Sequence, residues 1–458
     1  MEEIKLKSAD ELMDECELLL SDKKTAQKGY KKVEVLANNG VDWAICFQAL
    51  ALMRGTGVAK DEKKAFELLK KHEGVHYPEL QRLLGSFYEL GIGTEVDCRE
   101  AYICYKRATL DDHVQAYVDL ARMYMNGKYV DEDNKKAFAL NMYAANMGSA
   151  NGMYNVGMMY KVGLGVKQNF SSAVEWLKKA SDAGHEDASV ELGDYYLDRD
   201  EEQAVFYYGQ GAEKGNAHAK YVLYQFYRDG LGGLEQNDAK AFELCSQAAA
   251  LGDKDAIGDM GCCYEDGVGV DQDYGKALEW YLKAGEAGNA LGFLNAGYAY
   301  SNGRGAELNY DLALENFKKA SEMGEANGIT AIGWLYREGA SVKKNLQKAF
   351  QYLCTAACLG DAEAMNSVGN AYKNGQAVDV DYKLAYGFYQ KAADAGDTNA
   401  MGNVCNCYVE GKGVERDLDK ALSWYDKAKE SGCSDKKLAE CREKLKAVGI
   451  DVLDNEEE

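Results

Sequence analysis

The hydrophobic and small residues of this chain recur at helical spacing, in two alternating types of segment. In the first type they lie three and four residues apart, as at Leu84, Gly85 and Tyr88. The second type has the same spacing, for example at Ala277 and Tyr281. Such spacing places the apolar side chains on one face of a helix. The sequence has one proline and 48 glycines among 458 residues, which indicates many short helices. The pattern predicts an all-α protein.

The two segment types alternate with a fixed period. A loop that starts with glycine follows each segment of the first type, and successive loop glycines are 36, 36, 36, 67, 37, 36, 36, 36 and 36 residues apart. These glycines are Gly55, Gly91, Gly127, Gly163, Gly230, Gly267, Gly303, Gly339, Gly375 and Gly411. The gap of 67 holds one more unit with a loop shorter by five residues, at 187–215. The period predicts a solenoid of about eleven two-helix units.

A row of stacked helix pairs has two exposed ends, and each end needs a cap with a polar outer face. We therefore divide the chain into three parts. Residues 1–40 are predicted to form N-terminal capping helices, and residues 41–432 the tandem repeats. Residues 433–458 are predicted to form a C-terminal capping helix and an acidic tail.

Each unit reads L-G-x-x-Y, then the glycine loop, then K-A-x-x-W/Y/L, then A-A and a final glycine. The first loop glycine and the final glycine are expected to end the two helices in the left-handed conformation. Glycines inside the first helix, such as Gly261, allow a Trp or Tyr of a neighbouring helix to pack closely. Trp176, Trp280 and Trp424 occupy the K-A-x-x-W position and are predicted to be packed there.

The formal net charge is −22, and no basic cluster interrupts it. Nucleic acid and anionic membranes both require concentrated Lys and Arg, so neither is an expected partner. The charge favours either a merely solvated surface or a neutral to basic protein partner. No apolar run approaches the roughly 18 to 20 residues that cross a bilayer, so we expect no membrane insertion and a cytoplasmic location. The 13 irregularly spaced cysteines are predicted to be reduced and mostly packed.

This succession of L-G-x-x-Y, G-x-G-V, K-A-x-x-W and A-A-x-x-G resembles the Sel-one-like repeat family, relatives of the tetratricopeptide repeats. The resemblance covers roughly residues 41–432. It implies a right-handed α-solenoid whose first helices line a concave surface, with scaffold and adaptor roles. A secreted branch of the family joins each unit by a C-x7-C pair. Here only Cys433 and Cys441 have that separation, out of phase with the repeat, so this branch is a poor match.

Residues 72–76 read HEGVH and match the H-E-x-x-H pattern of zinc metalloproteases. Such a site needs both histidines on one uninterrupted helix and a third ligand elsewhere. Gly74 and Pro78 predict that the helix ends within the motif. The other histidines are His113, His185 and His218, and they form no third-ligand pattern. We predict no metal, no cofactor and no enzymatic activity, and a metal-dependent hydrolase using this stretch is the distant alternative.

If the first helices line a concave surface, side chains near the L-G pair and after the Tyr point into it. The candidate binding residues at such positions are Tyr154, Met158, Tyr221, Arg228, Tyr298, Trp334, Arg337, Asn366, Asn370, Lys373 and Asn406. Aromatic, amide and cationic side chains together suit an extended peptide. The alternative is that they are ordinary solvated helix residues, with Trp334 repacked into the core.

The function predicted from the sequence is therefore a non-enzymatic protein-interaction scaffold that binds a polypeptide in its groove. A regulatory or virulence-type adaptor for one specific bacterial or host protein is the alternative, and it would use the same surface.

Overall fold

The structure, a computed structural model, describes residues 8–450, which form 25 α-helices and no strand. The predicted all-α class is confirmed. The acidic end of the predicted C-terminal tail, residues 451–458, lies outside the described residues. The chain divides into two compact units, unit 1 at Met1–Asn216 and unit 2 at Ala217–Glu458.

In unit 1, two helices precede five helix pairs, and each helix packs mainly on the next along the chain. The two are α1 (Ala9–Ser21) and α2 (Ala26–Asn38). The pairs are α3 (Asp42–Arg54) with α4 (Glu62–Lys71), α5 (Pro78–Leu90) with α6 (Cys98–Leu110), α7 (Val114–Met125) with α8 (Asn134–Asn146), α9 (Ala150–Val162) with α10 (Phe170–Asp182), and α11 (Glu186–Tyr196) with α12 (Glu201–Glu213).

Unit 2 contains six pairs and one further helix. The pairs are α13 (Ala217–Asp229) with α14 (Asp238–Ala250), α15 (Lys254–Asp266) with α16 (Tyr274–Glu286), α17 (Ala290–Asn302) with α18 (Tyr310–Glu322), α19 (Ala326–Glu338) with α20 (Leu346–Cys358), α21 (Ala362–Asn374) with α22 (Tyr382–Asp394), and α23 (Thr398–Glu410) with α24 (Leu418–Glu430). The last helix is α25 (Asp435–Ala447). We number the pairs as repeats 1 to 11, from α3–α4 to α23–α24.

Polar caps and glycines set the helix ends. The side chain of Asp273 accepts a hydrogen bond from the backbone N–H of Lys276 and so caps the start of α16. At the other end, Gly303 closes α17 with φ +66°, and the final glycine Gly324 follows α18 with φ +94°. The predicted left-handed glycines are thus confirmed. In repeat 2 the place of the final glycine is taken by Asp112, with φ +53°.

A third left-handed position lies two residues after the first loop glycine. At Gly305, where φ is +77°, an added Cβ would lie 2.1 Å from the carbonyl oxygen of Tyr274 in the preceding repeat. Three repeats nevertheless place Tyr129, Ser341 or Ala377 at this position, with φ between 65° and 66°. The left-handed conformation thus occurs even where glycine is absent. We conclude that the packing of one repeat on the next determines the conformation of the loop backbone.

The core lies between the two helices of each repeat and continues between adjacent repeats. A Cβ added to Gly261 of α15 would lie 2.4 Å from the ring of Tyr281 on α16, so the ring packs directly on the helix backbone. Tyr281 is 2% exposed. In repeat 6 the sizes are inverted, since the first helix supplies the large Tyr224 and the second the small Cys245, and both are buried. Size complementarity across the pair is the common feature.

The tryptophans, predicted to be packed, lie at the edge of the core rather than at its centre. Trp176, Trp280 and Trp424 are only partly buried, and a lysine ammonium lies 4.3 to 4.5 Å from each ring. The residue after each tryptophan fills the core instead, as Tyr281 does. Both positions lie on the apolar side of the helix, and helical periodicity alone does not separate adjacent members of a broad apolar stripe.

Candidate functional site

An open groove of about 370 Å³ lies in the last repeats of unit 2, and we call it the terminal groove. Residues from α19, α21, α23 and α25, together with the residues that cap α23 and α25, line it. They are Trp334, Arg337, Glu363, Asn366, Ser367, Asn370, Asp397, Asn399, Asn403, Ser434, Lys436, Lys437 and Glu440. The first helices of successive repeats, followed by α25, therefore supply its walls.

Six of the candidate binding residues lie at or beside this groove. Trp334, Arg337, Asn366 and Asn370 line it directly. Lys373 and Asn406 line a smaller cavity that adjoins it, because Asn403 lines both. The structure thus brings together the predicted residues of repeats 9 to 11.

The two candidates in unit 1 pack against their neighbours. The ring of Tyr154 stacks on the ring of His185, with centroids 4.1 Å apart and planes 9° apart. Met158 packs on the hydrophobic cluster around Leu177 and Leu192. Neither residue lies in the same unit as the terminal groove.

The remaining three candidates lie in earlier repeats of unit 2 and do not line the terminal groove. Each of them contacts a neighbouring residue. The hydroxyl of Tyr221 donates to Asp259 Oδ2 at 3.2 Å, and Arg228 Nε lies 2.8 Å from Asp229 Oδ1. The ring of Tyr298 packs edge-on against Phe317.

Asn366 connects two helices of the terminal groove. Asn403 Nδ2 donates to Asn366 Oδ1 at 2.8 Å, and Asn366 Nδ2 donates to Asp397 Oδ1 at 3.2 Å. Asn366 and Asn403 are both buried. One repeat earlier, Thr330 Oγ1 donates to Asp361 Oδ2 at 2.8 Å in the same way. These bonds hold α21 against α23, so the amide of Asn366 is already engaged.

The other two asparagines are also tied to neighbouring elements. The hydroxyl of Tyr389 donates to Asn370 Oδ1 at 2.8 Å. Asn406 Nδ2 donates to Glu440 Oε1 at 3.1 Å, while the buried Asn406 Oδ1 has no donor among the described residues. The asparagines therefore act mainly in positioning, which leaves Trp334 and the charged side chains as the surface that a partner would contact.

Sequence reasoning missed several residues that line the groove, among them Glu363, Asp397, Lys437 and Glu440. Asp397 caps α23, and the sequence could have indicated it, because it is the acidic residue directly after a final glycine. Lys437 and Glu440 lie on α25, where Lys437 Nζ is 2.8 Å from Glu440 Oε2. They fall outside the repeat pattern, so no position within the repeat pointed to them.

Glu440 connects α25 to the last repeat. Burial raises its pKa, but hydrogen bonds from Lys437 and Lys444 outweigh this effect and lower the pKa from 4.5 to about 2. Lys444 Nζ also lies 2.6 Å from Glu410 Oε1 on α23. A carboxylate with a lowered pKa in the folded state stabilises the protein above its unfolded pKa, and this stabilisation is lost as the pH falls through the folded value.

We therefore expect the substitution Glu440→Gln to lower the melting temperature at pH 7. The difference from the wild type should shrink between pH 4.5 and about 2 and vanish below that range. Thermal denaturation of both proteins across this range measures the effect. A difference that stays constant down to pH 2 would show that the charge of Glu440 contributes nothing. Glu430→Gln, at the exposed end of α24, is the control.

The HEGVH stretch does not form a helical zinc motif. The helix was predicted to end within the motif, and α4 ends one residue before it, at Lys71, with His72 as its C-cap. His72 Nδ1 lies 2.9 Å from the carbonyl oxygen of Leu68, and His76 Nδ1 lies 3.0 Å from Asp111 Oδ2. Across residues 8–450, no three His, Cys, Asp or Glu side chains are grouped so as to hold a metal ion.

The repeats themselves match a known family. The Sel1 repeat matches eleven segments of the chain, at residues 46–71, 78–113, 114–149, 150–185, 188–216, 219–253, 255–289, 291–325, 326–361, 362–397 and 398–433. The chain belongs to the Sel1 repeat family. This confirms the resemblance and the α-solenoid fold class that it implied.

Similar solved structures and curated relatives include bacterial and fungal proteins. A protective antigen of uropathogenic Escherichia coli with an SLR fold aligns with a TM-score of 0.72 at 28% identity, over 92% of this chain and 91% of the other. Chitin synthase regulator SKT5 of Saccharomyces cerevisiae is 26% identical over 44% of this chain and 31% of its own length. Chitin synthase regulatory factor 2 of Schizosaccharomyces pombe is 27% identical over 40% and 42%. The matches span less than half of these two fungal proteins.

Two further properties of this Sel1 repeat chain concern its helices and its cysteines. Every helix within residues 8–450 is too short or too polar to cross a membrane. Nine of the 13 cysteines are buried, and all 13 are free thiols. The prediction that the cysteines are mostly packed is confirmed.

Proposed function

We propose that this protein is a non-enzymatic scaffold or adaptor that binds a polypeptide in the terminal groove. The observation that carries the proposal is the position of Trp334. Its side chain lines an open groove beside Arg337 and Asn370, although it also packs partly on the core of repeat 9. Partly buried Trp and Arg side chains in a preformed groove are typical of residues that dominate binding energy in protein interfaces.

The relatives support an adaptor role of a more specific kind. Two of them are named as a chitin synthase regulator and a chitin synthase regulatory factor, and a third as a protective antigen of uropathogenic bacteria. We therefore keep a second candidate, a regulatory or virulence-type adaptor for one bacterial or host protein. It would use the same surface and differs from the first in its biological role.

The proposed partner is a protein or an extended peptide, neutral to basic overall, rather than nucleic acid. The formal charge of −22 favours this choice, because a phosphate backbone would be repelled. We place the protein in the cytoplasm, where thiols stay reduced, since none of its cysteines forms a disulfide. No catalytic or cofactor role is part of the proposal.

Affinity capture with the full chain tests the groove. We expect Trp334→Ala to weaken binding of captured partners by about 30-fold or more, the effect of losing a dominant interface residue. Trp280→Ala is the matched control, because Trp280 is also partly buried in unit 2 but lies on a second helix, away from the groove. Equal recovery of the same partners by both variants and the wild type would contradict the proposed site.

A further inference from the structure

One stripe of α21 runs along the terminal groove and ends in unpaired charges of opposite sign. Glu363, Asn366, Asn370 and Lys373 are spaced three, four and three residues apart, which places them on one face of the helix. The first three line the terminal groove, and Lys373 lines the cavity that adjoins it. The stripe thus has a carboxylate at one end, two amides in the middle and an ammonium at the other end.

The acidic end of the stripe lacks a counter-ion. Among residues 8–450, Glu363 has no hydrogen-bond or ion-pair partner. Burial, Asp361 and Asp397 raise the pKa of Glu363, and Arg337 opposes them. A cation placed beside Glu363 would therefore relieve the repulsion among three carboxylates.

The basic end of the stripe also lacks a counter-ion. Lys373 is partly buried and has no ion-pair partner among the described residues. Burial, Lys437 and Lys444 lower the pKa of Lys373, and Glu440 and Glu410 oppose this effect, with Glu410 lining the same cavity. The two neighbouring lysines are already paired with Glu440, at 2.8 and 3.0 Å. An anion beside Lys373 would restore the missing charge pairing in a partly desolvated place, where such pairs are stronger than in water.

The helix sets the distance between the two ends. Ten residues of α-helix rise about 15 Å, at 1.5 Å for each residue. An extended peptide advances about 3.3 Å for each residue, so four to five residues cover this distance. Asn406, which lines the cavity next to Lys373, adds a buried Oδ1 acceptor without a donor, suited to a peptide N–H.

We propose that the terminal groove binds an extended peptide segment with a carboxylate against Lys373 and, four to five residues away, a lysine or arginine side chain against Glu363. This inference rests on the proposed function and specifies its partner. It selects zwitterionic segments over purely acidic or purely basic ones, because either kind would place a like charge at one end of the stripe.

Fluorescence anisotropy of labelled, amide-capped peptides with the full chain tests the inference. The probe is Lys-Ala-Ala-Tyr-Ala-Glu, and its variants replace Glu by Gln, Lys by Gln, or place Lys and Glu side by side. Replacing Glu should weaken binding to the wild type by about three- to tenfold, because Lys373 is partly buried, whereas replacing Lys should weaken it by about two- to fivefold, because Glu363 is exposed. Placing Lys and Glu side by side should weaken binding by at least the smaller factor. With Lys373→Gln, the Glu and Gln peptides should bind equally. With Glu363→Gln, the Lys and Gln peptides should bind equally.

Lys383→Gln, at an exposed position on α22, is the control and should leave all peptide preferences unchanged. Equal losses on the wild type and the Lys373→Gln variant, or tighter binding of a peptide with two Glu residues, would overturn the inference. If the peptides bind in a manner that depends on Trp334 but not on these charges, the inference fails while the proposed function stands. If no peptide binds while whole partners are captured through Trp334, the inference is overturned as well.

Discussion

Replacing Phe317 by alanine is expected to destabilise the protein by about 3 to 5 kcal/mol, the usual cost of removing a fully packed aromatic side chain. Phe317 is 2% exposed and lies against Gly297, where an added Cβ would be 2.4 Å from the ring. Because each repeat buries its apolar surface only against its own partner helix and adjacent repeats, the loss is not shared across the chain. Chemical denaturation of the full chain, followed by circular dichroism, measures it.

The contact between Gly297 and Phe317 provides a second test, in which the effect of Gly297→Ala on stability should change sign. In the wild type, Gly297→Ala should cost about 1 to 3 kcal/mol because the new methyl group overlaps the ring of Phe317. In the Phe317→Ala background the overlap is gone, and alanine is favoured over glycine in a helix by about 1 kcal/mol. Gly297→Ala should then stabilise the protein. If it destabilises both backgrounds equally, the close approach of ring and helix backbone does not account for this glycine.

The second large effect concerns the terminal groove. Asn366→Leu is expected to destabilise the protein by about 2 to 4 kcal/mol, because it removes the partner of Asn403 Nδ2 and one hydrogen bond to Asp397. Both Asn366 and Asn403 are almost fully buried, at 8% and 4% exposed, so water cannot readily replace the lost bonds. Denaturation of the full chain measures the loss, and peptide binding should weaken with it because the groove wall moves.

Ser367→Ala is the control for this substitution. Ser367 lines the same groove on the next residue of α21 and is only partly buried. It should change stability by less than about 0.5 kcal/mol, as is usual for partly exposed positions outside a hydrogen-bond network. If Asn366→Leu and Ser367→Ala changed the stability by the same small amount, this result would contradict the structural role of Asn366.

The candidate site was predictable in part. Trp334, Arg337, Asn366 and Asn370 were identified because a fixed repeat phase assigns the same direction to equivalent side chains. Their roles were not predictable, since the asparagines bond to residues about 20 to 40 positions away. Glu440 and Lys437 were missed because α25 breaks the period, and only its packing on α23 brings them to the groove.

The sequence by itself determined the helical class, the repeat length and most helix ends. These depend on local chemistry: apolar spacing selects the helix, and glycine ends it. Tertiary structure decided which residue of each apolar stripe is buried, as with Tyr281 rather than Trp280, and which polar groups are already paired. It also holds Ala377 in a left-handed conformation that its own chemistry disfavours. These features depend on contacts between the two helices of one repeat and between adjacent repeats, and such contacts form only when the helices pack together.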